Sequence, residues 1–135
     1  IRRGTSEVEN EEDEDADPEI VNLSGKMIPE VPRHVAVLTI GLEHAAGWDI
    51  SASYTYRGDF FTDTTNAIVS EEGEDGLVPG VWLLSARANM KLGDTGASVF
   101  ISGENLTNEL YISDREDGIK PGQSRTFWAG MKYKF

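Results

Sequence analysis

The sequence predicts an all-β chain, a run of five antiparallel strands that forms part of the wall of a transmembrane β-barrel. Three observations carry this. The last nine residues alternate strictly: Phe127, Ala129, Met131, Tyr133 and Phe135 share one face of a strand, and Trp128, Gly130, Lys132 and Lys134 share the other, because successive side chains in a strand point to opposite sides. Four earlier segments repeat that split between apolar and polar faces. The connections between them alternate between short and long, as in barrels with tight turns at one rim and extended loops at the other. No apolar run approaches the roughly 18 to 20 residues that a membrane-spanning helix needs, whereas a membrane strand needs only about 9 to 11 with every second one apolar.

Residues 1–33 precede the strands. An acidic tract from Glu7 to Glu19 is followed by the approach Met27-Ile28-Pro29-Glu30-Val31-Pro32-Arg33. Dense like charge prevents burial that would offset ordering entropy, so the tract is expected to be mobile and to form an outer loop. Each Pro fixes its own φ and biases its predecessor toward extended backbone, so the approach is expected to be ordered. The first strand, residues 34–44, sets Ala36, Leu38, Ile40 and Leu42 against Val35, Val37, Thr39, Gly41 and Glu43. Ala45-Ala46-Gly47 reverses the chain into residues 48–57, where Trp48, Ile50, Ala52, Tyr54 and Tyr56 oppose Asp49, Ser51, Ser53, Thr55 and Arg57.

A long polar connection, residues 58–80, leads to a third strand over 81–92, with Trp82, Leu84, Ala86, Ala88, Met90 and Leu92 on one side. Gly93-Asp94-Thr95-Gly96 has the composition of a hairpin turn. The fourth strand, from Ala97 to about Asn105, sets Ala97, Val99 and Ile101 against Ser98, Phe100, Ser102 and Glu104. A second long loop, residues 107–124, precedes the terminal strand. Both short turns therefore fall at one end and both long loops at the other. Five strands do not close a barrel, since the smallest bacterial examples need roughly eight, so further strands are expected at both edges. The chain, which begins at Ile1, is read as the carboxy-terminal piece of a longer protein, organised as an acidic outer loop and approach (1–33) and five wall strands (34–135).

Composition narrows the function. The 135 residues carry a formal net charge of −12 and no cysteine. Nucleic acid is excluded as a partner, because binding a phosphate backbone requires clustered Lys and Arg. Disulfides and thiolate metal sites are excluded by the absence of Cys. His34 and His44 have no metal-ligand spacing, and no Gly-x-Ser-x-Gly nucleophile motif occurs, so no enzyme, no cofactor and no metal site is expected.

At Asn105-Leu106-Thr107-Asn108-Glu109-Leu110-Tyr111 the sequence resembles the Asn-Leu-x-Asn/Asp-x-x-Tyr segment near the end of TonB-dependent outer-membrane receptors. The segments 28–34, Tyr54-Thr55-Tyr56-Arg57-Gly58-Asp59, Lys120-Pro121-Gly122 and the terminal Lys132-Tyr133-Lys134-Phe135 extend the resemblance to residues 20–135, to receptors of the siderophore or ferric-citrate type. The resemblance implies a barrel of about 22 strands, of which this chain supplies the last five. It also implies an enclosed amino-terminal plug and coupling to the TonB complex through that plug, neither of which has a counterpart in these residues. The implied setting is the outer membrane of a Gram-negative bacterium, with lipid, lipopolysaccharide and the rest of the receptor as partners and a ferric chelate as ligand. The acidic tract is heavier than the family leads one to expect.

Several residues carry candidate chemistry. Arg57, Asp59, Asp63, Asn66, Arg115 and Lys120 lie in or beside the long loops and are the candidates for ligand capture; Arg offers a bidentate fork for the carboxylates of an anionic chelate. Arg57, Arg87, Lys91, Lys132 and Lys134 face the lumen on the assigned alternation, and either reach ligand or pair with Glu43, Glu104 or plug carboxylates. Trp48, Trp82, Tyr54, Tyr56 and Tyr133 lie on the lipid face near strand ends, where rings anchor at the interface. Glu11-Glu12-Asp13-Glu14-Asp15 either collects Ca²⁺, bridging to lipopolysaccharide phosphates, or is only solvated; it lacks the glycine turn of a preorganised calcium loop. Two other classes compete with the receptor reading: a plug-less porin wall, and a soluble acidic Ca²⁺-binding β-domain used for adhesion.

Overall fold

The structure, a computed structural model, describes residues 5–7, 20–70 and 73–135. Its elements in chain order are β1 (Thr5–Glu7), β2 (Ile20–Asn22), β3 (Val35–His44), β4 (Trp48–Arg57), β5 (Phe60–Phe61), β6 (Leu77–Val78), β7 (Val81–Lys91), β8 (Ala97–Glu104), β9 (Ile112–Asp114), β10 (Lys120–Pro121) and β11 (Thr126–Tyr133). Every described element is a strand.

The five long strands form one antiparallel sheet in the order β11-β8-β7-β4-β3. Its register joins the faces expected from the alternation. Leu42 pairs with Ile50, Ile50 with Ala88, Ala88 with Ile101, and Ile101 with Ala129. A one-residue slip at any of these joints would move a whole strand's apolar set to the opposite side. The result is a continuous apolar face of one residue per strand in each row. The opposite face carries Thr39, Ser53 and Ser85 in one row and Ser51, Arg87, Ser102 and Trp128 in the next.

No protein covers the apolar face. Leu38, Ile40 and Leu42 are 61%, 64% and 68% exposed, and Met131 is 71% exposed. Among the described residues the buried apolar side chains are Phe60, Val78 and Val81, all in or beside the first long loop. A soluble sheet buries one face against a second layer. Here the packed interior lies beyond the end of the sheet instead, and the sheet's apolar side is left for lipid.

The turns match the expected parity. Between β3 and β4, Gly47 takes φ 86° and its N–H donates to His44 O at 2.9 Å, a three-residue reversal closed by a left-handed residue. The 92–96 turn joins β7 to β8 at the same end. At the other end the long loops are more structured than their polar composition implied. The first contains the β5–β6 ribbon and the second the β9–β10 ribbon. The aromatic dipeptide Phe60-Phe61 and the apolar pair Leu77-Val78 form the first ribbon, and Phe60 and Val78 supply two of the three buried side chains. Strand ends differ from expectation by one or two residues: β11 runs from Thr126 to Tyr133, two residues short of Phe135, and β8 stops at Glu104 because Asn105 adopts φ 48°, outside the extended region.

Before the sheet, β1 pairs antiparallel with β2, Thr5 opposite Asn22, where only an acidic loop was expected. Residues 8–19, which hold most of the acidic tract and its Ca²⁺ question, lie outside the described residues. The approach is ordered by backbone contacts: Glu30 N donates to Phe61 O at 2.7 Å and Gly58 N to His34 O at 2.7 Å.

Candidate functional site

The long-loop end is the candidate site, and Arg57 is its centre. Arg57 closes β4 on the polar face. Its guanidinium leaves the sheet to donate from Nη1 to Ser113 O at 3.0 Å and from Nη2 to Ile112 O at 2.7 Å. It lies over the rings of Phe60, at 5.1 Å, and Tyr111, at 5.8 Å. One cation thus ties the first long loop to the second, with the ring faces attracting the charge. Nε of Arg57 is buried and makes no hydrogen bond.

Asn105 organises the second loop. It is 4% exposed, and its side chain donates to Glu109 O at 2.9 Å and Gln123 O at 2.8 Å while its Oδ1 accepts from Glu109 N at 2.9 Å. Leu106 N donates to Leu84 O at 2.8 Å, so the chain leaving β8 stays docked on β7. Asn108, at φ 57°, accepts from Arg125 N. Tyr111 packs against Gly122, where an added Cβ would collide with the ring; only glycine permits that approach. The Asn-Leu-x-Asn-x-x-Tyr segment and the Lys-Pro-Gly segment are therefore two halves of one loop-folding device that also seats Arg57.

The other candidate residues divide by how far their side chains are already committed. Asp63 accepts from Thr65 N at 2.7 Å and from Ala67 N at 3.1 Å, capping a local turn. Asn66, at φ 55°, accepts from Met27 N and donates to Met27 O at 3.1 Å, latching the approach segment to the first loop. Arg115 reaches back to Gly73 O at 3.4 Å, and its Nε is also buried without a partner. Lys120 pairs with Asp114 at 2.8 Å. The hydrogen bond from Lys120 holds the Asp114 carboxyl below its ordinary range, and the same bond raises the lysine. Asp59 contributes its carbonyl to Arg33 N at 3.4 Å, and its carboxylate makes no hydrogen bond or ion pair to a described residue.

The structure thus brings Arg57, Arg115 and Lys120 into one assembly of two loops. Asp59, Asp63 and Asn66 lie on the side where the approach segment docks. Phe60, Asn105, Tyr111 and Gly122, which the sequence reading did not name as ligand-capture candidates although the last three lie in the segments that carry the resemblance, hold this assembly together. Asn105 and Asn108 lie in a motif whose asparagines signal left-handed backbone, which was the available clue.

The lumen face carries its own polar chain. Arg87 Nε donates to Asn89 Oδ1 at 3.1 Å, Asn89 Nδ2 to Asp49 Oδ1 at 2.6 Å, and Arg87 lies over Phe100 at 5.2 Å. Thr39 and Ser53 share a hydroxyl hydrogen bond at 2.9 Å. On the lipid face, Tyr54, Trp82 and Tyr56 stack near the long-loop end at 4.7 and 4.6 Å, and His44 stacks on Trp48 at 5.0 Å near the short turns. Among the described residues no group of three or more His, Asp or Glu is arranged to hold a metal ion.

Comparisons with known proteins agree with this geometry. A family model described as TonB dependent receptor-like, beta-barrel, matches residues 8–106. Among solved structures, the crystal structure of the ferric citrate transporter FecA in the unliganded form matches with a TM-score of 0.71 and 22% sequence identity over 85% of this chain. The chain spans 19% of the length of that transporter's chain. No curated protein sequence matches.

Proposed function

The chain belongs to the TonB-dependent receptor-like β-barrel family, and from that premise we propose that it is the carboxy-terminal wall of an outer-membrane receptor that imports a ferric chelate, a siderophore or ferric citrate, or a similarly scarce nutrient. The observation that carries this reading is the sheet with one face exposed and apolar, the other hydroxylated and charged, and every long loop at one rim. A wall of that kind separates hydrocarbon from an aqueous interior. Catalysis has no place in this reading.

In this proposal residues 34–135 supply the last five strands of a barrel of about 22, and residues 1–33 supply an outer loop and its return to the wall. The plug, and through it the TonB complex, belong to the remainder of the receptor. The stapled loops form one sector of the vestibule, where Arg57, Asp59, Asp63, Asn66, Arg115 and Lys120 shape the surface that ligand meets. Asp59 is the member with an uncommitted carboxylate, and Arg57 acts by holding the sector's shape. Lipopolysaccharide is the proposed outer-leaflet neighbour of the Tyr54, Tyr56 and Trp82 cluster.

The test is uptake of radiolabelled iron by cells that depend on the whole receptor, supplied with ferric citrate or with a neutral trihydroxamate chelate. Energy-dependent accumulation of one of them, abolished by deleting the receptor and restored by its return, is the expected result. Unchanged growth and accumulation with every iron chelate after deletion would overturn the ferric reading.

A further inference from the structure

We propose that a furrow along β7 on the outer, apolar face, with His44 and Trp48 at its short-turn end, binds one phospholipid: an acyl chain lies in the furrow and the phosphate meets the imidazole. This rests on the receptor reading above, which turns that face toward lipid, and adds to it a defined site. Two rows of the register build the furrow. In one, Ala88 sits between Ile50 and Ile101; in the next, nearer the short turns, Met90 sits between Trp48 and Val99. A methyl group between two branched side chains leaves a trough, and these six side chains line a groove of about 430 Å³.

Beyond Ala88 the floor stays low, because Ala86 lies between Ala52 and Gly103, and a second groove of about 210 Å³ continues there. Leu106 and Phe127 lie against Gly103 and close that end. From Met90 to Ala86 the furrow runs about 14 Å at the rise of a strand, close to the roughly 15 Å of hydrocarbon in one leaflet. The other end is polar. His44 is exposed and stacks on Trp48, ring centroids 5.0 Å apart and planes 5° from parallel, while its Nδ1 accepts from Ala46 N at 3.1 Å. An imidazole that accepts through Nδ1 carries its proton on Nε2 when neutral. His44 therefore keeps an Nε2–H donor that makes no hydrogen bond to a described residue, and the indole N–H of Trp48 makes none either.

Donors at the membrane boundary above an apolar trough match a molecule with an anionic head and a hydrocarbon tail. The walls of the trough belong to strands about 9 to 10 Å apart, a width that their own side chains reduce to that of one hydrocarbon chain. A flat protein face laid across it would rest on Ile50 and Ile101 and leave a void over Ala88, forfeiting dispersion contacts. A flexible chain fills the same space. The furrow opens at the short-turn rim, across the membrane from the Tyr54, Tyr56 and Trp82 cluster where lipopolysaccharide is placed, so the occupant is a phospholipid of the inner leaflet.

The experiment uses the whole receptor, purified in detergent, stripped of lipid and given either phosphatidylethanolamine or diacylglycerol, which has the chains without the phosphate; native mass spectrometry then counts what is retained. The expected result is one tightly held phosphatidylethanolamine per wild-type receptor and weaker retention of diacylglycerol. Ala88→Phe fills the floor and is expected to lose that lipid, whereas Ala129→Phe, in the same row but outside the furrow, is expected to keep it. His44→Phe keeps a ring on Trp48 and is expected to weaken phosphatidylethanolamine about tenfold, the loss of one hydrogen bond to a charged group, with diacylglycerol unchanged. Equal retention by wild type and Ala88→Phe overturns the proposal, as does retention of lipid A in place of the phospholipid, or a receptor dimer that Ala88→Phe disrupts. Undiminished phosphatidylethanolamine binding in His44→Phe overturns it even where Ala88→Phe fails to fold. Iron uptake by the wild type reports separately on the receptor reading, so a receptor that imports iron and holds no phospholipid here sinks the site alone.

Discussion

At the scale of single residues, the loop end is held by polar groups whose partners are mostly backbone atoms. Asn105→Ala removes three hydrogen bonds from a buried position and leaves Glu109 N–H, Glu109 O and Gln123 O to find new partners, a cost of about 1–3 kcal/mol. Asn105→Gly suits the left-handed backbone but loses the same bonds, so it too is expected to destabilise; urea unfolding of the whole barrel, with amide exchange over residues 105–123, checks both. Arg57→Lys keeps the charge but cannot donate to Ile112 O and Ser113 O as a planar fork between two rings. Faster exchange in both long loops is expected, and identical protection would show that the fork is not what joins them. Asp114 gives a pH dependence. Its carboxyl is lowered, first by the bond from Lys120 and then by backbone N–H groups including Glu116, so its contribution is complete above the ordinary carboxylate range and is lost as pH falls through its depressed folded value. The lysine is raised, so the pair survives on the alkaline side up to and beyond the ordinary lysine range. Protection factors at residues 113–121, taken relative to the intrinsic exchange rate at each pH, are expected to fall in acid, and Asp114→Asn to remove that fall.

At the scale of elements, each strand is legible because alternation is a consequence of backbone geometry, and the face of Ile50 follows from counting residues from Trp48. The loop assembly was not legible to the same degree. Arg57 finds its acceptors 55 and 56 residues away, and a carbonyl acceptor has no side-chain signature. The ribbons β5–β6 and β9–β10 are two or three residues per strand, too short for periodicity to distinguish from loop. Phe100 interrupts the polar face for a reason visible only in the register: it pairs with Gly130 and covers the space that a side chain there would take. The faces themselves make a sharp prediction. Ile50 lies on the apolar side in the row of Leu42, Ala88, Ile101 and Ala129 and is 49% exposed. Ile50→Arg places a charge toward lipid and is expected to lower barrel stability by about 2–4 kcal/mol near the bilayer midplane. Ser51→Arg, one residue along on the lumen side, is expected to cost far less. Equal losses in lipid-vesicle unfolding titrations would contradict the assignment of faces.

At the scale of the whole molecule, the sheet has two open edges: β3 pairs only with β4, and β11 only with β8. The outward N–H and C=O groups along the 10 residues of β3 and the 8 of β11 have no ladder partner within the described sheet. In hydrocarbon each such group costs several kcal/mol, so the sum over both edges reaches tens of kcal/mol. Folding stabilities of about 5–15 kcal/mol cannot absorb that. Nor can the sheet close on itself, since five strands fall short of the roughly eight that the smallest barrels use. The 1–135 chain expressed alone is therefore expected to aggregate edge to edge, or to remain unfolded in detergent, and to show no heat-modifiable barrel band on electrophoresis. Adding the remainder of the proposed receptor during refolding is expected to supply partners for both edges and restore that band. A monomeric, protease-resistant barrel formed by 1–135 alone would mean that β3 and β11 meet each other, and the larger wall inferred here would have to be abandoned.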